Sequence, residues 1–182
     1  MTTLCVFCGS SRGTPPTFTD AARTFGTALA ARGLELVYGG ASVGLMGVVA
    51  DAALAAGGRV TGVITEALAG PEIAHATLTR LDVVTTMHER KARMAELSDG
   101  FVMLPGGFGT YEEFMESVTW AHLGLHDKPC GILNVDGFYD ELLVFLAHAV
   151  EVGFIRSHQI ERITVSDGVD VLLDAVSTPV PG

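Results

Sequence analysis

Residues 105–113, with the sequence PGGFGTYEE, constrain the fold of this chain more than any other stretch. The apolar run 101–104 precedes them, and a helical pattern of apolar residues follows over 114–123. The order is therefore strand, glycine-rich turn and helix start. This order brings free backbone N–H groups and the positive end of a helix dipole to one point, which favours the binding of an anion.

The end of this motif has two interpretations. Thr110 and Glu113 have the spacing of a capping box, in which Thr110 is the N-cap and the glutamate reaches back to its N–H. Alternatively, Thr110 offers its hydroxyl to a phosphate and Glu113 places a carboxylate beside it. Gly106, Gly107 and Gly109 favour a ligand, because a simple strand-to-helix turn rarely needs three glycines in four residues. They are expected to allow positive φ and a close approach of the backbone.

Composition and periodicity predict the fold class. Of the 182 residues, 48% are hydrophobic and 18% charged, which suits a parallel sheet buried between two layers of helices. Apolar runs alternate with helical patterns, which predicts an α/β fold, a single-domain doubly wound parallel sheet of Rossmann-like type over residues 1–182, with 177–182 as a frayed tail. Predicted strands are 4–8, 34–38, 59–64, 81–85, 100–104, 130–135 and 163–165; predicted helices are 17–32, 45–56, 87–97, 114–123, 139–152 and 168–176.

Three loops at predicted strand ends are rich in glycine and serine: 9–11, 39–44 and 106–109. Ligands of doubly wound sheets bind at the carboxyl ends of the strands, near the point where the strand order reverses. We therefore expect all three loops to open on one edge, with Gly9 and Ser10 in the site. The segment 65–80 is irregular, and a segment of this length in a compact domain is often a functional loop.

Charge and targeting signals limit the expected partners. The net charge is −10, the pI is near 4.9, and no basic run is present, so nucleic acid and membrane surfaces are not expected partners. No signal peptide and no apolar run of spanning length is predicted. A small anionic ligand remains compatible with this charge.

The three cysteines, Cys5, Cys8 and Cys130, indicate a reducing compartment and hence a cytoplasmic location, because their number is odd and no secretion signal accompanies them. The spacing Cys5-x-x-Cys8 resembles a redox motif. It lies in a predicted strand, however, where residues three apart point to opposite faces. Both cysteines are therefore predicted to be small buried apolar residues.

Several common motifs are missing from the sequence. There is no Walker P-loop, no Gly-x-Ser-x-Gly elbow and no set of His or Cys residues with metal-ligand spacing, and the first turn does not match the dinucleotide fingerprint. The six histidines are scattered and are predicted to lie at the surface or behind the site rather than to bind a ligand.

A second group of residues begins the helix predicted at 87–97. Arg90 falls on the apolar side of this helix, between Met87 and Met94. Burying an unpaired guanidinium costs several kcal/mol, so Arg90 should meet Glu113 or a ligand phosphate. The alternative is that Arg90 extends along the methionines to the surface. Lys91 lies beside it on the helical wheel.

These two groups together are similar to a known family. The patterns MHxRK at 87–91 and PGGxGTxxE at 105–113 resemble the LOG (LONELY GUY) family of cytokinin riboside 5'-monophosphate phosphoribohydrolases, many of them once labelled lysine decarboxylases. The resemblance covers nearly the whole chain, including 7–11, 38–47, 119–124 and 127–129. Ala41 departs from the family pattern, which often has glycine at this position, and alanine there should reduce stability little if φ is negative. Phe108 departs from it where the family often has tyrosine.

The resemblance implies hydrolysis of the N-glycosidic bond of an N6-substituted AMP or of AMP itself, giving the free base and ribose 5-phosphate. It implies that Arg90 and Glu113 are catalytic, that no metal or organic cofactor is needed, and that the chain forms a homodimer. We expect the nucleotide 5'-monophosphate to be bound by these residues: Gly107, Phe108, Gly109, Thr110, Lys91, Thr119, Glu72, Gly9, Ser10 and Met46. Met46, together with Met94, is a candidate for the pocket of the base.

Two other functions compete with hydrolysis. A non-catalytic carrier of a nucleotide or phosphometabolite would need the glycine loops but not Arg90 and Glu113 together. A pyridoxal-phosphate decarboxylase would need a Schiff-base lysine. The chain has only Lys91 and Lys128, and Lys128 precedes a proline in a predicted turn.

Overall fold

A computed structural model of the chain describes residues 2–70 and 74–177. Strands and helices alternate along the chain as the periodicity predicts, with most boundaries within two residues. The strands are β1 (Thr3–Phe7), β2 (Glu35–Tyr38), β3 (Val60–Thr65), β4 (Arg80–Val84), β5 (Gly100–Met103), β6 (Cys130–Leu133) and β7 (Ile163–Ser166). The helices are α1 (Pro16–Ala31), α2 (Gly44–Ala55), α3 (Met87–Glu96), α4 (Phe108–His122), α5 (Asp140–Glu151), α6 (Ser157–Ile160) and α7 (Val169–Ser177).

The seven described strands form one parallel sheet in the order β4-β3-β2-β1-β5-β6-β7. Strands β1 to β4 extend in one direction from the centre, and β5 to β7 extend in the other. The order therefore reverses between β1 and β5, where Val6 pairs with Tyr38 on one side and with Val102 on the other. The predicted α/β class and doubly wound parallel sheet are confirmed.

Each face of the sheet has its own apolar core. On one face, Phe25 of α1 and Leu172 of α7 pack with strand residues, and on the other, Met94 of α3 and Phe114 of α4 do so. Cys8 belongs to the first core, and Cys5 to the second. Both are buried free thiols, and burial raises the pKa of each, as expected of small apolar residues rather than a redox pair.

The fold differs from the sequence prediction in three places. Helix α4 begins at Phe108, six residues before the predicted start, and the short helix α6 was not predicted. The irregular segment contains a 3₁₀ turn, Glu66–Leu68, and an isolated bridge between Ala41 and Ala74. Glu72 lies outside the described residues, as does the predicted tail except for Ser177, which ends α7. No helix in the described part of the chain is long and apolar enough to cross a bilayer.

Candidate active site

The three glycine-rich loops meet at the point where the strand order reverses. The Gly9 N–H donates to the Pro105 carbonyl (N···O 3.0 Å), and the Leu45 N–H donates to the Gly9 carbonyl (N···O 2.9 Å). This confirms that the loops lie together at one edge of the sheet. The first and third loops border a cavity of about 290 Å³ whose lining includes Gly9, Ser10, Gly107, Phe18 and Phe138.

Backbone contacts within this edge require glycine at particular positions. A Cβ atom on Gly106 would lie 2.1 Å from Thr110 Oγ1 and 2.9 Å from the Gly9 nitrogen. Gly44 has a φ of +62°, and a Cβ atom there would lie 2.2 Å from the carbonyl carbon of Ser10. Larger residues at either position would push the loops apart.

The N-terminus of α4 opens into this edge without a side-chain cap. Its N-cap, Gly107, has extended backbone angles (φ −111°, ψ −153°), and Thr110 is the third helical residue rather than the N-cap. Of the two interpretations of Thr110 and Glu113, the capping box with Thr110 as the N-cap is therefore wrong. No described atom lies within 4 Å of a Cβ atom built on Gly107 or Gly109. Packing among the described residues thus does not require glycine at these two positions, and the N–H groups there are open to the approach of a ligand.

The glycines of this motif also correct the prediction of positive φ. Neither Gly106 nor Gly107 nor Gly109 adopts a positive φ. Gly106 is required by packing against Thr110 and Gly9, whereas Gly107 and Gly109 leave open space beside the helix start. Ala41 has no positive φ either, which agrees with a low cost of alanine at that position.

Arg90 lies beside the 39–44 loop, and each of the three nitrogens of its guanidinium donates one hydrogen bond. Its Nε donates to the Val63 carbonyl (2.9 Å), its Nη1 to Glu113 Oε1 (3.0 Å) and its Nη2 to the Gly39 carbonyl (3.2 Å). The Arg90 and Glu113 side chains are only 9% and 12% exposed. The prediction that Arg90 pairs with Glu113 is confirmed, and the alternative path to the surface is wrong. Gly39 is needed beside this group, because its Cβ atom would lie 2.2 Å from Nη2.

Glu113 is a buried carboxylate, and only one of its two oxygens accepts a hydrogen bond. Burial raises the pKa of Glu113 above its ordinary value, while the nearby Arg90 guanidinium opposes this rise. Its Oε1 accepts from Arg90, and its Oε2 has no hydrogen-bond partner among residues 2–70 and 74–177. Such a group can stabilise a cation or orient a water molecule.

Lys91 is held by two carboxylates of α4 rather than aimed at the glycine turn. Its Nζ forms ion pairs with Glu112 and, at 3.0 Å, with Glu116 Oε2. Burial disfavours the charged ammonium of Lys91, but the two carboxylates outweigh burial and raise its pKa. The contact with substrate that the family resemblance implies for Lys91 remains a prediction.

The other predicted substrate residues differ in their contacts and in their exposure. Thr119 donates its hydroxyl to the Met115 carbonyl (2.7 Å) and lines a separate groove beside α4. Met46 is half-buried and lies beside Gly39 and Arg90, whereas Met94 is a core residue with 1% exposure. Phe108 projects from the first turn of α4 with 93% of its surface exposed.

Two structural features of the site were not predicted from the sequence. The Tyr139 hydroxyl donates to the Leu104 carbonyl (2.7 Å), immediately before the glycine turn, and Tyr139 is 1% exposed. His75 is also buried, and its Nε2 lies 3.1 Å from Asp51 Oδ1. Neither side chain belongs to a recognisable local motif, so no pattern in the sequence signals these contacts.

A third feature, also not predicted above, does have a signal in the sequence. Thr86 and Glu89 form the capping box of α3, with the Glu89 N–H donating to Thr86 Oγ1 (3.1 Å) and Glu89 Oε2 accepting from the Thr86 N–H (3.0 Å). The spacing Thr-x-x-Glu before a helical pattern predicts this arrangement. The box fixes the start of the helix that carries Arg90. Among the described residues, no group of three or more His, Cys, Asp or Glu side chains is placed to hold a metal ion.

Comparisons with solved structures support the fold. The molybdenum cofactor binding protein of the phototrophic bacterium Rippkaea orientalis superposes with a TM-score of 0.72 at 20% sequence identity, covering 95% of this chain and 93% of that protein. The molybdenum cofactor carrier protein of Chlamydomonas reinhardtii gives a TM-score of 0.72 at 20% identity, covering 96% of this chain and 95% of that protein. At this identity the similarity establishes the fold alone.

Sequence comparisons identify the family. A family model described as "Possible lysine decarboxylase" matches residues 46–176. A probable cytokinin riboside 5'-monophosphate phosphoribohydrolase of Oryza sativa subsp. japonica is 51% identical over 177 residues, which are 97% of this chain and 84% of the relative. A cytokinin riboside 5'-monophosphate phosphoribohydrolase of Arabidopsis thaliana is 52% identical over 152 residues, which are 84% of this chain and 71% of the relative. On these matches, the chain belongs to the LOG family of cytokinin riboside 5'-monophosphate phosphoribohydrolases.

Proposed function

We propose that this protein hydrolyses the N-glycosidic bond of cytokinin riboside 5'-monophosphates, which are N6-substituted forms of AMP, and of AMP itself. The products are the free base and ribose 5-phosphate. The observation that carries the proposal is the buried pair of Arg90 and Glu113, one helical turn beyond the uncapped N-terminus of α4. The names of relatives sharing about half of their residues with this chain agree with it.

The first part of the proposed reaction is binding of the 5'-phosphate. The N–H groups at the start of α4 and the helix dipole attract the anion, and Gly107 and Gly109 leave space for it. Ser10 of the neighbouring loop and Thr110 supply hydroxyl groups at the same edge. Binding energy from the phosphate, which does not react, then positions the ribose.

The second part is cleavage of the bond between C1' and the base. Glycosidic cleavage passes through a cationic, oxocarbenium-like sugar. In our proposal the free Oε2 of Glu113 faces this cation or the attacking water, while Arg90 fixes the other oxygen. Because two backbone carbonyls also hold Arg90, we assign to Arg90 the role of orienting Glu113.

The contacts of the two lysines argue against a pyridoxal-phosphate decarboxylase. A Schiff-base lysine needs a depressed pKa, whereas two carboxylates raise the pKa of Lys91. Lys128 donates to the Ala95 carbonyl (2.7 Å) below α3, away from the glycine loops.

We extend the proposal to assembly and location. The exposed apolar side chains Leu123, Leu125 and Phe154, which are 68%, 68% and 88% exposed, support a homodimer. Buried free thiols support a cytoplasmic location. Sedimentation equilibrium tests the assembly, and a monomer at micromolar concentration contradicts it.

Incubation of the purified protein with AMP and with N6-isopentenyl-AMP, without added cofactor, tests the function. Chromatography should show free base and ribose 5-phosphate in equal amounts, and the ratio of the two rates gives the preferred base. An identically purified Glu113→Gln variant controls for contaminating hydrolases and should release neither base. Nucleotide binding without release of base by the wild type would overturn the proposal and support the carrier function.

A further inference from the structure

Leu104, the residue before the glycine turn, is held from both sides. Its N–H donates to the Phe7 carbonyl at the end of β1 (N···O 2.9 Å). Its carbonyl accepts from the hydroxyl of Tyr139, the residue before α5 (2.7 Å), and we call this contact the Tyr139 anchor. Pairing of β5 with β6 ends at Met103 and Ile132. The anchor therefore continues the attachment of β5 on the β6 side by one residue, up to the start of the turn.

Tyr139 is itself fixed in place and also touches α4. The side chain is buried, and the Tyr139 N–H donates to Asn134 Oδ1 (2.8 Å). The Asn134 N–H in turn donates to the Ser166 carbonyl at the end of β7 (2.8 Å). The Tyr139 ring meets the ring of Tyr111, in the first turn of α4, edge to face, with centroids 6.1 Å apart. Tyr139 thus contacts both the chain before the glycine turn and the helix after it.

We propose that Tyr139 is a positioning residue for phosphate binding. Its hydroxyl holds the Leu104 carbonyl and its ring packs on Tyr111, so that the glycine turn and the N-terminus of α4 present their N–H groups to the 5'-phosphate. This inference rests on the proposed function, in which that N-terminus binds the phosphate. Tyr139 needs no contact with the nucleotide for this role.

The glycine turn and the helix start are packed too closely to move independently. A Cβ atom on Gly106 would lie 2.1 Å from Thr110 Oγ1, so the turn lies directly against the first turn of α4. The next residue after Leu104, Pro105, is bound through its carbonyl to the Gly9 N–H (3.0 Å). A displacement of Leu104 would therefore reach both the helix start and the 9–11 loop. Hydrogen bonds from their N–H groups to an anion weaken steeply with distance and angle.

Tyr38 supplies a matched control for this anchor. It is also buried, and it ends β2 just before the 39–44 loop. Its hydroxyl, however, has no hydrogen-bond partner among residues 2–70 and 74–177. Tyr38→Phe and Tyr139→Phe therefore remove the same group from buried rings that adjoin glycine loops, but only Tyr139→Phe breaks a hydrogen bond between described residues.

Calorimetric titration with ribose 5-phosphate and with inorganic phosphate tests the proposal, at a temperature where circular dichroism shows each variant folded. Tyr139→Phe should raise both Kd values by about 10-fold, because hydrogen bonds to a charged phosphate depend on the placement of their donors. Tyr38→Phe should leave both Kd values near those of the wild type. A lower Tm in Tyr139→Phe with unchanged Kd values would show that Tyr139 only stabilises the fold, and would overturn the proposal.

Residual dipolar couplings of backbone N–H groups, measured by NMR without ligand, test the position of α4 directly. In Tyr139→Phe, the couplings of residues 107–111 should depart from their wild-type values, while those of β1 and β2 should not. Tyr38→Phe should keep the wild-type couplings at 107–111. This result supports the positioning of α4 by Tyr139 even if the wild type binds no phosphate or releases no base, so the two proposals can fail separately. Wild-type couplings at 107–111 in Tyr139→Phe would contradict a positioning role.

Discussion

Replacing Gly39 with alanine tests how tightly the Arg90 guanidinium is held. Gly39 has no positive φ, so alanine can adopt its backbone conformation. The added Cβ atom, however, would lie 2.2 Å from Arg90 Nη2 and 3.2 Å from Met46 Sδ. Arginine ends are usually mobile, but this one is buried and fixed by Val63, Glu113 and the Gly39 carbonyl itself. The guanidinium must therefore leave at least one of these partners.

The expected loss can be estimated from these contacts. Overpacking in a tight core costs about 1–3 kcal/mol, and loss of a hydrogen bond to a charged group costs about 1.5–3 kcal/mol. These terms overlap, so we expect about 2–5 kcal/mol of lost stability, or roughly 5–15 °C in Tm for a chain of this size. Displacement of Arg90 also shifts Glu113, and a misplacement of about 1 Å lowers kcat by on the order of 100-fold.

Thermal unfolding followed by circular dichroism measures the stability, and release of base from AMP measures kcat. Gly168→Ala is the matched control, because φ is not positive there and an added Cβ atom would meet its neighbours only at ordinary van der Waals distances of 3.6 Å or more. A Gly39→Ala protein with wild-type Tm and kcat would show that the Arg90 guanidinium can move aside without loss, and would contradict its being held in place by Val63, Glu113 and Gly39.

Three further predictions test other parts of the structure. Gly109→Ala should keep or raise Tm, since the added Cβ atom meets no described atom. It should nevertheless raise KM or Kd for AMP about 10-fold or more, because the methyl group blocks approach of the phosphate to the helix N–H groups. Unchanged binding of AMP would contradict phosphate binding at this position. Tyr139→Phe leaves the Leu104 carbonyl without its donor and should cost about 1–3 kcal/mol in a urea titration, and a loss below about 0.5 kcal/mol would contradict the anchor. Burial opposes ionisation of Asp82, but the hydrogen bonds and charges of Arg93 and Arg80 outweigh burial and lower the pKa of this carboxyl group. The ionised carboxylate therefore stabilises the fold fully above the ordinary pKa range of aspartate, and this stabilisation is lost as the pH falls through the lowered pKa. Asp82→Asn should therefore be less stable than the wild type at pH 7 and equal to it near pH 2, whereas a constant difference at both values would contradict the linkage.

The fold and the central pair could be predicted from the sequence because each follows from a local physical rule. Alternation of apolar runs and helical patterns leaves few arrangements besides a doubly wound parallel sheet. Arg90 falls on the apolar side of α3, and a guanidinium there requires an anion, which limits its partners to Glu113 or a ligand.

The rest of the site depends on contacts that local patterns do not specify. The early start of α4 at Phe108 places Gly107 at the N-cap and Gly109 inside the helix, and the low helix propensity of glycine hides this in the sequence. The Tyr139 anchor joins residues 35 positions apart, which no periodicity reveals. The ion pairs of Lys91 carried a partial signal, since Glu112 and Glu116 have i, i+4 spacing, but this spacing does not identify the cation.

The most direct test of the central claim is the Glu113→Gln variant, studied by calorimetric binding of AMP and by single-turnover release of base. Glutamine keeps the size of the side chain and an acceptor for Arg90 but removes the negative charge that the proposed mechanism requires. We expect a Kd for AMP close to the wild-type value and a rate of base release lower by about 100-fold or more. Wild-type release of base by this variant would contradict the role of Glu113 as the catalytic carboxylate.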